Sequence, residues 1–209
     1  MIDLHILNHA ASTRPDWLEK CLNSAEQAAA SGHCTVHIID NPGDHVGASR
    51  AKAYALGEHP YVACLDNDDE LIPDGLQPLL AALEKHPKVC GVYSNRTQIN
   101  DQGKRLFTLI RGPWSPLHQL RGHDFPHQLA IYRRQAIIPH LDALNAFQDN
   151  SDVVLAGLAT EYGPWLHVPV LAYQRRENDY YVNHRRPIDN SETQRGKKLI
   201  TPSLLKHPL

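Results

Sequence analysis

The sequence lacks a hydrophobic segment long enough to cross a membrane. Every apolar run is interrupted by polar or charged residues well before the roughly 20 residues that a spanning helix needs. The first residues, MIDLHILNHAAS, have no basic stretch ahead of their apolar run, which argues against a secretory signal peptide. We therefore expect a cytoplasmic protein, with peripheral association at the inner face of a membrane as the alternative.

Cysteine is scarce and histidine is common, but neither forms a recognisable metal-binding motif. The cysteines include no CxxC pair and lie in apolar or helical sequence, at Cys21, Cys34, Cys64 and Cys90. Such spacing favours reduced, buried thiols over disulfides or a structural zinc site. The 14 histidines are scattered and include no HExxH motif, so we expect no catalytic zinc site.

Neither sign of charge dominates the composition. The formal net charge of −2 excludes a generally basic nucleic-acid binder and an acidic disordered protein. The 209 residues are 42% hydrophobic, which is enough for one sizeable core. A charged partner would therefore have to bind at a local patch of a single globular domain.

Predicted strands and helices alternate through the first third of the chain. Strands are predicted at 2–7, 35–39 and 61–65, and helices at 15–31 and 47–56. This alternation with short connections is typical of a parallel sheet covered by helices, where ligands bind at the carboxyl ends of the strands. Asn8, Asp40 and Asp66 each lie at such an end, so we expect these three polar side chains to converge.

The later part of the chain has a less regular pattern. Helices are predicted at 75–85 and 150–159, and strands at 89–94, 105–110, 128–132 and 166–173. From Gln174 onward the chain is polar and rich in arginine, lysine, asparagine and proline. We therefore predict one domain over residues 1–173 and a basic arm or lid, outside the core, over 174–209.

Four acidic residues follow the third predicted strand within five positions. Asp66 and Asp68 have alternate spacing, so both could face one point while Asn67 turns away. Clustered carboxylates repel one another unless a cation lies between them, and a hard cation such as Mn²⁺ or Mg²⁺ prefers such oxygen ligands. The alternative is a solvated acidic turn in which Asp69 or Asp74 caps the next helix.

Several motifs resemble those of family 2 glycosyltransferases of the GT-A fold. LDNDDELIPDGL, residues 65–76, resembles the family's Asp-x-Asp segment, and Gly47 to Lys52 with Gly57-Glu58 resembles its Gly-x-Ser-x-Ala-Arg-Asn helix and following Gly-Glu. AFQDNSDVVLAGLA, residues 146–159, is similar to the helix start with the family's Glu-Asp pair, and LAYQRRENDYY, residues 171–181, is similar to its Tyr-Arg segment. The resemblance covers about residues 1–178 and implies a GT-A, Rossmann-like mixed sheet flanked by helices in a single α/β domain.

The resemblance implies transfer of a sugar from a nucleotide-diphosphate sugar, with UDP the expected nucleotide, to an acceptor hydroxyl with inversion. It assigns Asp66 and Asp68 to a Mn²⁺ or Mg²⁺ ion. Apart from the resemblance, His184 or His167 is a candidate for a further metal ligand or a phosphate contact. The catalytic base is expected to be Asp149, with Asp152 as the alternate. The donor contacts are expected from the nucleobase-binding Asp40 and from Asn8, Ala10, Arg50, Lys52, Asp66 and Asn67.

The residues are compatible with more than one acceptor and with a catalytic or a noncatalytic protein. The acceptor could be a glycan, a lipid-linked glycan or a modified nucleic acid, and the oligomeric state is undetermined. Gln148 replaces the Glu of the Glu-Asp pair, so a noncatalytic nucleotide-sugar or nucleic-acid binding module with the same fold is the alternative. A sugar-phosphate nucleotidyltransferase is disfavoured because residues 8–15 contain no glycine.

Overall fold

One mixed β-sheet flanked by helices organises the chain, as the sequence predicts. The computed structural model describes residues 1–8, 14–40, 45–121, 126–148, 150–177 and 190–207. The strands are β1 Ile2–Asn8, β2 Cys34–Asp40, β3 Tyr61–Asp66, β4 Glu70–Leu71, β5 Gly91–Ile99, β6 Arg105–Leu109, β7 Ala130–Arg133 and β8 Trp165–Arg176. Their order across the sheet is β2-β1-β3-β7-β5-β8-β4, with β6 paired to β5.

The predicted parallel start of the sheet is present. β1 lies between β2 and β3 and is parallel to both, whereas β7 is antiparallel to β3 and to β5. The register pairs Asn8 with Asp40 and Leu7 with Asp66. The carboxyl ends of the first three strands therefore lie side by side, because parallel strands end at one edge of a sheet.

The described helices cover both faces of this sheet. They are α1 Pro15–Ala30, α2 Val46–Tyr54, α3 Leu76–Lys85, α4 Pro116–Arg121, α5 Arg134–Ile137, α6 Ser151–Leu158 and α7 Asn190–Leu204, with 3₁₀ turns at Pro73–Gly75, Ile138–Ala146 and Ala159–Glu161. In α1, Pro15 occupies the first turn, where its missing N–H costs nothing. Gly32 follows this helix with φ 73°, a backbone conformation that suits glycine. No helix in the described ranges is both long and apolar enough to span a bilayer.

Two apolar cores form, one on each face of the sheet. Successive residues of a strand point to opposite faces, so Ala63 and Leu65 pack under α1 and α3 while Val62 packs with α2 and α6. The thiols of all four cysteines are free, and three of the four residues are buried. This arrangement buries both faces of the central strands and leaves the strand ends for polar residues.

The predicted arm beyond Tyr173 is wrong for the described part of that region. β8 continues to Arg176, so the expected boundary falls inside a strand. Ile200 and Leu204 of α7 are buried in the second core. The carboxylate of Glu192 accepts hydrogen bonds from the backbone N–H groups of Gln148 and Asn150, at 3.0 and 2.9 Å. Residues 190–204 therefore belong to the folded domain, because their apolar face completes its core.

Candidate active site

Helix α2 carries a positive charge to the carboxyl edge of the sheet. His45 caps its N-terminus, where the ring Nδ1 accepts a hydrogen bond from the backbone N–H of Ala48 at 3.2 Å. Gly47 is needed for close packing, since a Cβ there would lie 2.1 Å from the carbonyl oxygen of Phe147 and 2.2 Å from that of Leu144. The helix therefore docks closely against the segment that leads into α6.

Arg50, one turn into α2, joins two carboxylates that are far apart in sequence. Its guanidinium nitrogens lie 3.6 Å from the Asp66 carboxylate and 3.9 Å from that of Asp152, and it donates a 3.0 Å hydrogen bond to the Ser151 hydroxyl. Its side chain is only 14% exposed. Burial opposes the charged form, but Asp152 and Asp66 outweigh burial and raise the pKa of Arg50.

Asp66 ends β3 and lines an open pocket with about 360 Å³ of empty space. Its carboxylate also accepts a short hydrogen bond from the side-chain amide of Gln128, 62 residues away. Arg50, Tyr54, Cys64, Asp66, Pro126, His127, Gln128, Ala130, Tyr132 and Asp152 line this pocket. Asp66 thus faces a cleft whose walls come from β3, α2, β7 and α6.

The other acidic residues of the cluster have different surroundings. Asp68 is half-buried, and burial together with the nearby Asp66 charge raises its pKa to about 6. Asp69 is buried and structural, because its carboxylate accepts hydrogen bonds from the Tyr173 hydroxyl at 2.8 Å and the Arg176 backbone N–H at 2.6 Å. Between them, Asn67 is buried, and its side-chain NH₂ has no hydrogen-bond partner among the described residues.

The donor chemistry of Asp66 and Asp68 suits a hard divalent cation. The two carboxylates repel each other in a partly dry site, and a cation bound between them would reduce this repulsion. Both side chains also supply oxygen ligands. In the described part of the chain, no group of three or more His, Cys, Asp or Glu side chains is placed to hold a metal. An ion held by these two carboxylates would therefore keep positions for oxygens of another molecule. The predicted ligand His184 lies outside the described residues.

Asp152, in the first turn of α6, lies in the same pocket. Its carboxylate is 3.0 Å from Nε2 of His127 and accepts a 2.8 Å hydrogen bond from the Val153 backbone N–H. Burial opposes ionisation, but His127 and Arg50 hold the pKa of Asp152 well below its usual range. The side chain is therefore an anion at neutral pH. The first-choice base Asp149 lies outside the described residues.

His127 and Gln128 are pocket residues that the sequence analysis did not single out. The Gln128 backbone N–H donates to Nδ1 of His127 at 2.7 Å, so Nε2 is the nitrogen that carries the proton toward Asp152. They precede β7 in a stretch without a recognisable motif. Only the pairing of β7 with β3 brings them beside Asp66.

Asn8 and Asp40 meet at the far end of the same edge. The Asn8 side-chain NH₂ donates a 2.6 Å hydrogen bond to the Asp40 carboxylate, and the Asn8 amide oxygen is buried without a partner in the described ranges. Lys52 is exposed on α2, two residues beyond Arg50 and on another side of the helix. Ala10 lies outside the described residues. The structure thus brings together Asn8 with Asp40, and Arg50 with Asp66 and Asp152, but leaves Lys52 at the surface.

Comparison with known proteins identifies a family and several solved structures that are similar to this chain. The model of glycosyl transferase family 2 matches residues 23–140. No curated protein matches the chain. Among solved structures, residues 1–349 of S. aureus TarS in complex with UDP-GlcNAc align with a TM-score of 0.65 at 12% identity, covering 100% of this chain and 67% of that one.

Two further TarS structures give the same result. The 1–349 fragment in complex with UDP aligns with a TM-score of 0.64 at 13% identity, over 100% of this chain and 66% of that one. TarS itself aligns with a TM-score of 0.63 at 12% identity, and the chain covers 40% of it. At such low identity these likenesses establish the GT-A fold, and the chain spans about two thirds of the fragment.

Proposed function

The chain belongs to glycosyl transferase family 2, and we propose that it moves a sugar from a UDP-sugar to an acceptor hydroxyl, with release of UDP, by a metal-dependent, inverting reaction. The family makes the protein a nucleotide-sugar-dependent glycosyltransferase. One observation carries the finer proposal. Arg50 contacts both Asp66, at the end of β3, and Asp152, at the start of α6, inside one pocket. The groups needed for leaving-group stabilisation and for proton removal are thus held together.

The nucleobase is assigned to the Asn8–Asp40 end of the edge. The ring N–H of uracil needs an acceptor, which the Asp40 carboxylate offers, whereas the unprotonated ring nitrogen of cytosine would face that charge. The Asn8 amide oxygen adds a second acceptor. The UDP and UDP-GlcNAc complexes of TarS support the same nucleotide.

The diphosphate is assigned to the acidic cluster and Arg50. Asp66 and Asp68 would hold Mn²⁺ or Mg²⁺, which supplies Lewis-acid stabilisation to the departing diphosphate. The positively charged guanidinium of Arg50 lies in the pocket. Its position is fixed by the carboxylates of Asp66 and Asp152 and by the Ser151 hydroxyl. Asn67 has a buried NH₂ donor for an oxygen of the donor substrate.

Removal of the proton from the acceptor hydroxyl is assigned to Asp152, with Asp149 as the alternate base. Inversion by direct displacement needs a base on the far side of the sugar from the diphosphate. Asp152 is ionised at neutral pH and is oriented by His127 and by the Val153 backbone. It accepts the hydroxyl proton as the new glycosidic bond forms, when that proton has become more acidic.

A calorimetric titration tests the donor site. UDP, CDP, GDP and dTDP are titrated with and without Mn²⁺ into the protein and into Asp68→Ala, with the exposed Asp74→Ala as a matched control. We expect UDP to bind only with Mn²⁺, a loss of about tenfold or more for Asp68→Ala, and no change for Asp74→Ala. Equal affinity for UDP with and without Mn²⁺ would refute the metal site.

Turnover separates the enzyme from the alternative module. Release of UDP from a UDP-sugar that depends on an added acceptor supports catalysis. Donor binding without such release, for glycan, lipid-linked glycan and modified nucleic acid acceptors alike, would favour the noncatalytic nucleotide-sugar module. A cytoplasmic location, peripheral at the inner membrane face when the acceptor is lipid-linked, follows from the same proposal.

A further inference from the structure

Helix α7 has one face in the core and another in solvent. Gly196, Ile200 and Leu204 are buried, and the packing against α6 is close, since a Cβ at Gly196 would lie 3.0 Å from the Val154 side chain. The solvent face consists of exposed residues three or four positions apart, which is the spacing of neighbours on one side of a helix. These residues are Arg195, Lys198, Leu199, Pro202, Leu205 and Lys206.

The solvent face combines basic and apolar side chains. Leu199 is 40% exposed and Leu205 is 56% exposed. The acidic residue of 190–207 is Glu192, which is buried and accepts hydrogen bonds from backbone N–H groups just before α6. The basic residues of the same range are Arg195, Lys197, Lys198 and Lys206. The helix therefore presents cations and leucines, but no carboxylate of its own, to solvent.

Carboxylates of other elements offset little of this charge. Nζ of Lys206 lies 3.9 Å from the Glu161 carboxylate, and both side chains are exposed. Arg195 donates a 3.1 Å hydrogen bond to the Ser191 hydroxyl, which is neutral. The ion pairs among the described residues include neither Arg195 nor Lys198. The solvent face thus has a net positive charge.

We propose that the solvent face of α7 docks on an anionic lipid bilayer. Basic side chains are attracted to anionic headgroups, and leucines on the same helix face enter the boundary between headgroups and acyl chains. A nucleic acid offers the same negative charge but has no apolar phase for Leu199 and Leu205. The exposed leucines therefore favour a lipid surface as the partner.

The position of α7 connects this surface with the proposed reaction. Glu192, in the first turn of α7, accepts hydrogen bonds from the backbone of Gln148 and Asn150, and Asp152 follows in the first turn of α6. Docking through α7 places the membrane next to the wall of the pocket that carries the proposed base. This selects a lipid-linked acceptor, a consequence that rests on the proposed function, whereas the docking itself does not.

Co-sedimentation of the full chain with lipid vesicles tests the docking surface. The vesicles contain phosphatidylcholine alone or phosphatidylcholine with phosphatidylglycerol, at low and high salt, without UDP or Mn²⁺. The variants are Lys198→Gln and Leu205→Gln, and the charge-matched control is Lys20→Gln, at an exposed lysine of α1 on the opposite face of the sheet. Thermal unfolding checks each variant, and a fluorescent DNA duplex is titrated in parallel by anisotropy.

We expect binding that requires phosphatidylglycerol and weakens at high salt. Lys198→Gln should lower the partition coefficient about fivefold, the usual contribution of one cation near an anionic surface, and should reduce the salt dependence. Leu205→Gln should lower the partition coefficient about fivefold or more with the salt dependence unchanged, because leucine carries no charge. Lys20→Gln should bind like the unmodified protein, and all variants should keep the same Tm because the substituted side chains are exposed.

Three results overturn the inference. Equal binding to phosphatidylcholine alone would show that the cations have no part in docking. Absence of vesicle binding, or equal binding by Lys198→Gln, Leu205→Gln and the unmodified protein, would make the face an ordinary solvated surface. Binding of the DNA duplex that depends on Lys198, without vesicle binding, would identify a nucleic acid as the partner.

Failure of the proposed function has a different signature. UDP would then fail to bind in calorimetry, while co-sedimentation, which needs neither UDP nor Mn²⁺, would still report on α7.

Discussion

His5 should make this protein lose stability as the pH falls from neutrality toward about 5. The residue lies in the middle of β1 and is fully buried. Its ring stacks on that of His37 with 5.0 Å between centroids and meets Tyr54 edge-on at 5.7 Å. Neither ring nitrogen forms a hydrogen bond of good geometry among the described residues, although the backbone of Ala63 and of Leu56 interacts weakly with the ring. A protonated imidazole at this position would be a poorly solvated charge.

The size of the effect follows from the difference in pKa between the folded and unfolded chains. Burial, and then the positive charge of His37, lower the pKa of His5 from 6.5 to about 4, while Asp3 and the backbone of Ala63 and Leu56 oppose this more weakly. Above pH 6.5 His5 is neutral in the folded and in the unfolded chain, so its protonation does not change the free energy of unfolding. Between 6.5 and 4 only the unfolded chain takes up the proton, so stability falls with pH, by about 2 kcal/mol from pH 7.5 to 5.

Urea unfolding of the protein and of His5→Phe at these two pH values measures the effect. Phenylalanine preserves the ring packing and removes the titration, so the variant should lose about 2 kcal/mol less than the unmodified protein between pH 7.5 and 5. The neighbouring Asp3 and His37 remain in both proteins, so their contribution largely cancels. His86→Gln, at an exposed histidine, should behave like the unmodified protein. If His5→Phe and the unmodified protein lose the same free energy of unfolding between pH 7.5 and 5, His5 is not the cause of the pH dependence.

Two further predictions concern the pocket. Asp152→Asn keeps the side-chain shape but cannot take a proton, so kcat should fall by about 10²–10⁴-fold with UDP affinity nearly unchanged; unaltered kcat in steady-state assays would transfer the role to Asp149. Asp40→Ala removes a charged acceptor for the uracil N–H, so the Kd for UDP should rise about tenfold or more in calorimetry, whereas the exposed Lys52→Ala should leave it unchanged. If Asp40→Ala and Lys52→Ala bind UDP with equal affinity, the nucleobase does not bind at Asp40.

Local patterns in the sequence predict most elements because their signals are short-range. Pro15 and Gly32 delimit α1, and the strand ends at Asn8, Asp40 and Asp66 follow from apolar runs that stop at polar residues. The pattern underestimates β5, which runs to Ile99 rather than to Ser94. Its distal half buries polar residues, among them Asn95, Thr97 and Gln98, so no alternation of apolar and polar residues marks it.

The sequence by itself determined the fold class, the acidic cluster and the family to which its motifs belong. Tertiary structure alone decided that Arg50 contacts Ser151, 101 residues later, that Gln128 holds Asp66, and that α7 completes the core. The physical reason is the range of the interactions. Caps, turns and periodicity act within a few residues, whereas these contacts depend on strand order and helix packing, which bring distant segments to one edge of the sheet.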